Sequence, residues 1–190
     1  GASYTYHRTR PSVADLIEMG WLSKYRYFEP PSADLSTVHT NKHDYVKADA
    51  EGVMDKPSIT GDAVAHYLKL LRDKRAIVFC LSIAHSQRVC AQFRDAGVVA
   101  WHVDGETPDG ERRQAVKAFA RGEIKVLSNV DLFGEGFDVP AAEGAILLRP
   151  TKSLGLFIQQ TGRALRPSPG KTHAIILDHS SNRRVHGYPD

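Results

Sequence analysis

From Ala76 onward the chain alternates short β-rich runs with stretches whose apolar positions recur at helical spacing, the pattern of a parallel sheet covered on both faces. The runs Ala76–Leu81, Val98–His102, Ile124–Ser128, Ala145–Leu148 and His173–Leu177 read as strands. Between them Ala84–Ala96, Pro108–Arg121 and Ser153–Leu165 read as helices, with a shorter irregular piece around Leu132–Gly136. Thr107 is placed to cap the helix that Pro108 begins, and Gly97 to close the preceding one in a left-handed conformation. The expected fold class is α/β, a doubly wound parallel sheet of the kind that binds nucleotides at strand ends.

The first 75 residues are less regular. They predict a helix at Val13–Met19 ended by Gly20, a strand at Lys24–Phe28, a break at Pro30-Pro31, and a helix at Gly61–Asp73 whose stripe of Val64, Leu68 and Leu71 packs on the sheet. The expected organisation is therefore a linker and mostly helical extension over 1–75 and an α/β domain over 76–190, with Gly1-Ala2-Ser3 read as the scar of a cleaved tag. No internal repeat or low-complexity tract interrupts this plan.

A hydrophobic content of 42% in 190 residues is enough for a genuine core. No apolar run spans a bilayer and no signal-peptide order opens the chain, so the expectation is a cytoplasmic protein without a membrane partner. Cys80 and Cys90, without C-x-x-C spacing, read as two buried thiols rather than a disulfide or zinc site. A formal charge of +3 permits a phosphate-rich partner without demanding one.

Three segments could carry chemistry. In Gln159-Gln160-Thr161-Gly162-Arg163-Ala164-Leu165-Arg166, a rotation of about 100° per residue puts Leu154, Phe157, Ile158, Thr161 and Leu165 on one side and Gln159, Arg163 and Arg166 on the other. Two rigid guanidinium forks on one exposed face could neutralise charge developing on a transferring phosphoryl group; the plainer alternative is a solvated polar face. In the second segment, residues 129–140, Gly134 and Gly136 would let backbone approach a phosphate and Asp138 could accept from a ribose hydroxyl; a glycine-rich turn serving only the fold is the alternative. In the third, residues 76–86, a buried strand runs into a helix whose first turn holds Ser82, His85 and Ser86, a ready place for a nucleic-acid phosphate. Ser82 as a simple cap and His85 as a structural residue are the competing readings.

In this order and at these separations, the three segments resemble motifs IV, V and VI of superfamily 2 helicases, especially the DExH-type branch of bacterial and phage DNA-repair and restriction-like enzymes. His102-Val103-Asp104-Gly105-Glu106-Thr107 and Glu111-Arg112 resemble the neighbourhood between the first two motifs. The resemblance implies a RecA-like C-terminal motor lobe. Gln159, Arg163 and Arg166 would be its catalytic set, with the two arginines as fingers, and Gly134, Glu135, Gly136 and Asp138 its nucleotide contacts. Ser82, His85, Asn129 and Val130 would lie toward the nucleic-acid strand. It also implies ATP and Mg²⁺ as cofactors, an N-terminal RecA-like lobe of the same parent chain as partner, and single-stranded or duplex nucleic acid, DNA by family analogy, as substrate.

The sequence departs from the commoner family pattern at Val130 for threonine, Gln160 for arginine and Leu165 for glycine. No G-x-x-x-x-G-K-[ST] loop or DExH box occurs; Gly170-Lys171-Thr172 ends like a phosphate loop but leads into a strand, and reads as a turn. Half an active site is expected here, inactive alone. The rival readings are a non-catalytic binding module of the same fold and, less favoured, a small nucleotide-binding or transferase domain active by itself.

Overall fold

A computed structural model describes residues 11–30, 34–131 and 142–189. Among them the elements run α1 (Val13–Glu18), β1 (Tyr25–Phe28), α2 (Lys47–Met54), α3 (Pro57–Leu70), β2 (Ala76–Phe79), α4 (Ile83–Asp95), β3 (Ala100–Val103), α5 (Asp109–Ala120), β4 (Val126–Asn129), β5 (Gly144–Leu147), α6 (Leu154–Leu165), β6 (Ala174–Asp178) and α7 (Asn182–His186). The strands form one six-stranded sheet in the order β1-β6-β5-β2-β4-β3, and every pair is parallel.

The four inner strands, β2, β4, β5 and β6, are buried throughout because both of their faces are covered. Val78, Val126, Ile146 and Leu177 pack on one side with α3 and α4, through Val64, Tyr67, Leu71, Val89 and Phe93. Their neighbours Ile77, Leu127, Leu147 and Ile176 point the other way, onto α5 and α6, through Phe119, Phe157 and Leu165. Strand residues alternate between faces, so a continuous apolar run supplies two cores at once. Helix α3 approaches the sheet so closely that a Cβ on Gly144 would fall 2.6 Å from Leu71 Cδ1. Cys80 and Cys90 are both free and buried, and burial pushes their thiols up to about 12 and about 11.

Several expectations from sequence shift. Helix α3 begins at Pro57 rather than Gly61 and ends at Leu70, while α2 and α7 were not anticipated. Thr107 does not cap α5; Pro108 holds that position, and the Thr107 hydroxyl bonds Asp104 instead. Gly97 does take the left-handed conformation, at φ 79°, directly after α4. Ahead of residue 76, β1 joins the sheet as its edge strand beside β6, with Tyr27 Oη donating to the buried Asp178 carboxylate at 2.7 Å.

Because all strands run one way, the sheet has a carboxyl edge and an amino edge. Helix α6 leaves the carboxyl edge after β5 and returns to the amino edge before β6. Its last carbonyls are met there by the Ser23 N–H, which donates to Leu165 O at 2.7 Å, and by Lys171, whose Nζ donates to Ala142 O and Arg166 O at 2.8 Å each and to Ala164 O. The Gly170-Lys171-Thr172 turn is thus a helix stop, supplying partners to carbonyls that the helix itself cannot satisfy.

Candidate functional site

The carboxyl edge gathers residues from segments far apart in sequence. Ser82 caps α4, its Oγ accepting from the His85 N–H at 3.1 Å, and its hydroxyl also donates to Glu51 of α2. Arg88 pairs with Asp55 and Glu51, so α2 is fastened to the first turns of α4 by charge. Ser82 keeps partial exposure at this edge.

His85 does not share that exposure. It is fully buried, its Nδ1 accepts weakly from the Leu81 N–H at 3.5 Å, and its Nε2 meets no partner among the described residues. Burial holds its pKa below the ordinary imidazole value, against the opposing influence of Asp55 and Glu51. Asn129 is also inside, donating from Nδ2 to Val78 O at 2.9 Å and thereby clamping β4 to β2, and Val130 is buried. These three side chains therefore shape the edge from beneath in this structure, while Ser82 is the one of the four at the surface. A helix turn presents its side chains by its rotation about the helix axis, which local sequence does not fix.

A polar chain that sequence reasoning did not single out runs just below. Ser128 Oγ and Ser86 Oγ lie 2.6 Å apart, Ser86 Oγ is 2.6 Å from His102 Nδ1, and His102 Nε2 is 2.7 Å from Asp104 Oδ2. The order serine, histidine, aspartate is that of a nucleophilic triad, but Ser86 is completely buried, so no substrate reaches its hydroxyl. The chain works structurally: burial raises the Asp104 carboxyl, but hydrogen bonds from His102, Thr107 and the Glu106 and Thr107 N–H groups outweigh it and hold it below the usual range. Such a carboxylate fixes the turn leaving β3. The signal was present in His102 and Asp104, two apart at a strand end.

On α6 the exposed side holds Gln159, while Phe157, Gln160, Thr161, Ala164 and Leu165 are buried. Leu154, expected on the apolar side, is 54% exposed at the first position of the helix. Arg163 and Arg166 are half-buried rather than on an open face, and both are engaged in contacts. Arg166 is the C-cap, with extended backbone at φ −59° and ψ 132°, so it leaves the helix axis instead of stacking a turn above Arg163. The arginines lie toward the amino edge, whereas Ser82 and Asn129 lie at the carboxyl edge. Gly134, Glu135, Gly136 and Asp138 fall outside the described residues.

Among the described residues no group of three His, Cys, Asp or Glu side chains could hold a metal ion, and no helix is long and apolar enough to cross a membrane.

Residues 60–168 match the helicase conserved C-terminal domain. The chain is 42% identical over 188 residues to the 51.5 kDa protein of a Lactococcus phage, covering 99% of this chain and 41% of that protein. It is 32% identical over 177 residues to the protein named "Putative ATP-dependent helicase IRC3" of Saccharomyces cerevisiae, covering 91% of this chain and 25% of that one. In fold it is similar to the ATP-dependent Type ISP restriction-modification enzyme LlaBIII bound to DNA, with a TM-score of 0.62 at 20% identity over 88% of this chain and 12% of that enzyme. The chain spans less than half the length of these relatives.

Proposed function

The chain belongs to the helicase conserved C-terminal domain family, and from that premise we propose that it is the second motor lobe of an ATP-dependent nucleic-acid helicase or translocase. The observation that carries the proposal is the placement of two groups at opposite edges of one rigid sheet. Ser82 stands at the surface of the carboxyl edge above the buried His85, Asn129 and Val130, and Arg163 and Arg166, at the end of α6, lie toward the amino edge.

Arg163 and Arg166 fit a role toward ATP held between this lobe and an N-terminal lobe. They are permanently charged, and both are half-buried at the end of a helix whose last carbonyls are already satisfied by Lys171, so that helix end is fixed before any nucleotide arrives. ATP with Mg²⁺ supplies the phosphoryl group whose transfer drives the motor. In this chain Gln159, exposed one turn before Arg163, orients the same face, and the arginines neutralise charge as it develops on the phosphates. Gly134, Glu135, Gly136 and Asp138 are proposed to meet the nucleotide from the connecting segment. Ser82 meets the strand at the carboxyl edge, and His85, Asn129 and Val130 support that surface from below. Closing and opening of the cleft then steps the two lobes along a backbone without reading sequence.

DNA is the proposed substrate, by the resemblance of the three motifs to the DNA-repair and restriction-like branch. The lobe is proposed to be inactive by itself, because the other half of the ATP site belongs to its partner lobe.

The test is nucleic-acid-stimulated ATPase activity of the parent protein carrying Arg166→Ala. A fall in kcat of about 10³-fold or more is expected, with KM for ATP changed far less. Near-normal turnover would remove Arg166 from the catalytic role.

A further inference from the structure

Neighbouring strands β2 and β5 send their following helices to opposite faces: α4 packs with Val78 and Val126, α6 with Ile77 and Leu147. Helices departing in opposite directions leave a crevice above the strand ends, the place where open parallel sheets receive ligands. Here the crevice is a cavity of about 250 Å³, walled by Leu81 from the exit of β2, Arg149 and Pro150 from the exit of β5, and Tyr45 and Lys47 from the segment entering α2.

Two cations converge at its mouth on one carboxylate. Lys47 Nζ lies 2.7 Å from Asp131 Oδ2, and Arg149 Nη1 bonds Asp131 Oδ1. The three differ sharply in their freedom: the side chain of Arg149 is only 13% exposed, whereas those of Asp131 and Lys47 are 45% and 55% exposed. Arg149 is thus the least solvated of the three and gains most from an anion beside it, while Asp131 can swing into solvent at little cost. Burial, and then the nearby Arg149 charge, hold the Lys47 ammonium below its ordinary pKa against the opposing influence of Glu51, and burial lowers Arg149 against that of Asp44. Asp44, the other carboxylate at the cavity, is committed elsewhere, accepting from the Tyr45 and Lys152 N–H groups and from the Thr151 hydroxyl. Asp131 reaches the cations from a left-handed backbone, φ 51°, a conformation that aspartate adopts more readily than most non-glycine residues.

We propose that Lys47 and Arg149 form a seat for one backbone phosphate of a single-stranded nucleic acid, and that Asp131 fills the seat as an internal surrogate until the strand arrives. This rests on the motor-lobe reading above and names two strand-holding residues that it did not contain. A phosphodiester and a carboxylate each carry one negative charge and two oxygens able to meet a guanidinium and an ammonium together, so the exchange leaves the seat's charge unchanged. The Tyr45 ring lines the same cavity, with Lys152 Nζ 5.2 Å from its centroid.

The experiment is fluorescence anisotropy of labelled oligo-dT titrated with this chain over a range of salt concentrations, with thermal melting of each variant to verify folding. Lys47→Ala should lower the salt slope of log K by about one and weaken binding. Asp131→Asn should tighten binding by about tenfold, since it removes the competitor. Inorganic phosphate should displace the oligonucleotide only weakly. Should folded Asp131→Asn bind no more tightly than the parent chain, or Lys47→Ala keep the full slope, the seat is wrong while the motor-lobe reading survives. Complete displacement by inorganic phosphate would make it a free-anion pocket instead, and oligo-dT ignored by the unaltered chain would count against both readings.

Discussion

His179 shows how one side chain can set the behaviour of the protein in acid. It follows β6, is 1% exposed, and lies against His66 with ring centroids 5.3 Å apart; neither of its nitrogens has a hydrogen-bond partner among the described residues. Burial, reinforced by His66 and opposed by Asp62, pulls its pKa from 6.5 down to about 4. The folded value lies below the unfolded one, so between about 4 and 6.5 the unfolded chain binds the proton and the native one does not. The contribution is intact above pH 6.5 and lost progressively as pH falls toward 4, with a ceiling of about 3 kcal/mol. His85, also buried with a lowered pKa, acts in the same direction. Urea midpoints taken at pH 7 and pH 5 should therefore fall markedly for the parent chain and less for His179→Phe; equal falls would mean that His179 carries none of the loss.

At the scale of elements, α6 illustrates how a helix is fixed at both ends. Ser153 caps its start, accepting from the Leu156 N–H at 3.3 Å, and Lys171 gathers the carbonyls of Ala164 and Arg166 at its finish. Burial lowers the Lys171 ammonium to about 8, which leaves it largely charged near neutral pH, as three carbonyl acceptors require. Lys171→Met keeps an unbranched side chain one atom shorter and removes the donors, leaving carbonyls buried without partners. It should cost about 1–3 kcal/mol in chemical denaturation and loosen the backbone around Arg166. The helix start should be untouched, which amide hydrogen exchange at Leu156 against that near Leu165 will resolve.

Much at this scale was legible in the sequence. The five strands from residue 76 onward and the three helices between them lie where periodicity places them, to within a few residues, because a covered parallel strand and an amphipathic helix each leave a repeating trace in the chain. Helix α2 left none: Lys47–Met54 buries only Ala50 and Met54, too few apolar positions to show a stripe. The cap of α5 also shifted by one residue, because Thr107 has a stronger claim on its hydroxyl in Asp104.

For the whole molecule, the segment before residue 76 is part of the packing. Removing it would strip β1 from β6, expose that edge, and take Val64, Tyr67 and Leu71 from one face of the sheet. A piece comprising residues 76–190 should therefore fail to give a cooperative thermal transition or dispersed amide spectra, and should aggregate through the bared strand. Cooperative melting of that piece would support residue 76 as a domain boundary.

What the sequence determined by itself is the class of architecture and the family: hydrophobic period records which faces are covered, and three motifs in fixed order are a local property of the string. What only the tertiary structure decided is which polar groups face a ligand. His85 and Asn129 turn inward, and Ser86, His102 and Asp104 join into one buried chain. Lys47, from a stretch that looked like linker, meets Asp131 and Arg149 across more than eighty residues of sequence. Strand order brings such groups together, and a parallel sheet's strand order is set by its crossovers and packing rather than by any local pattern that a single segment carries.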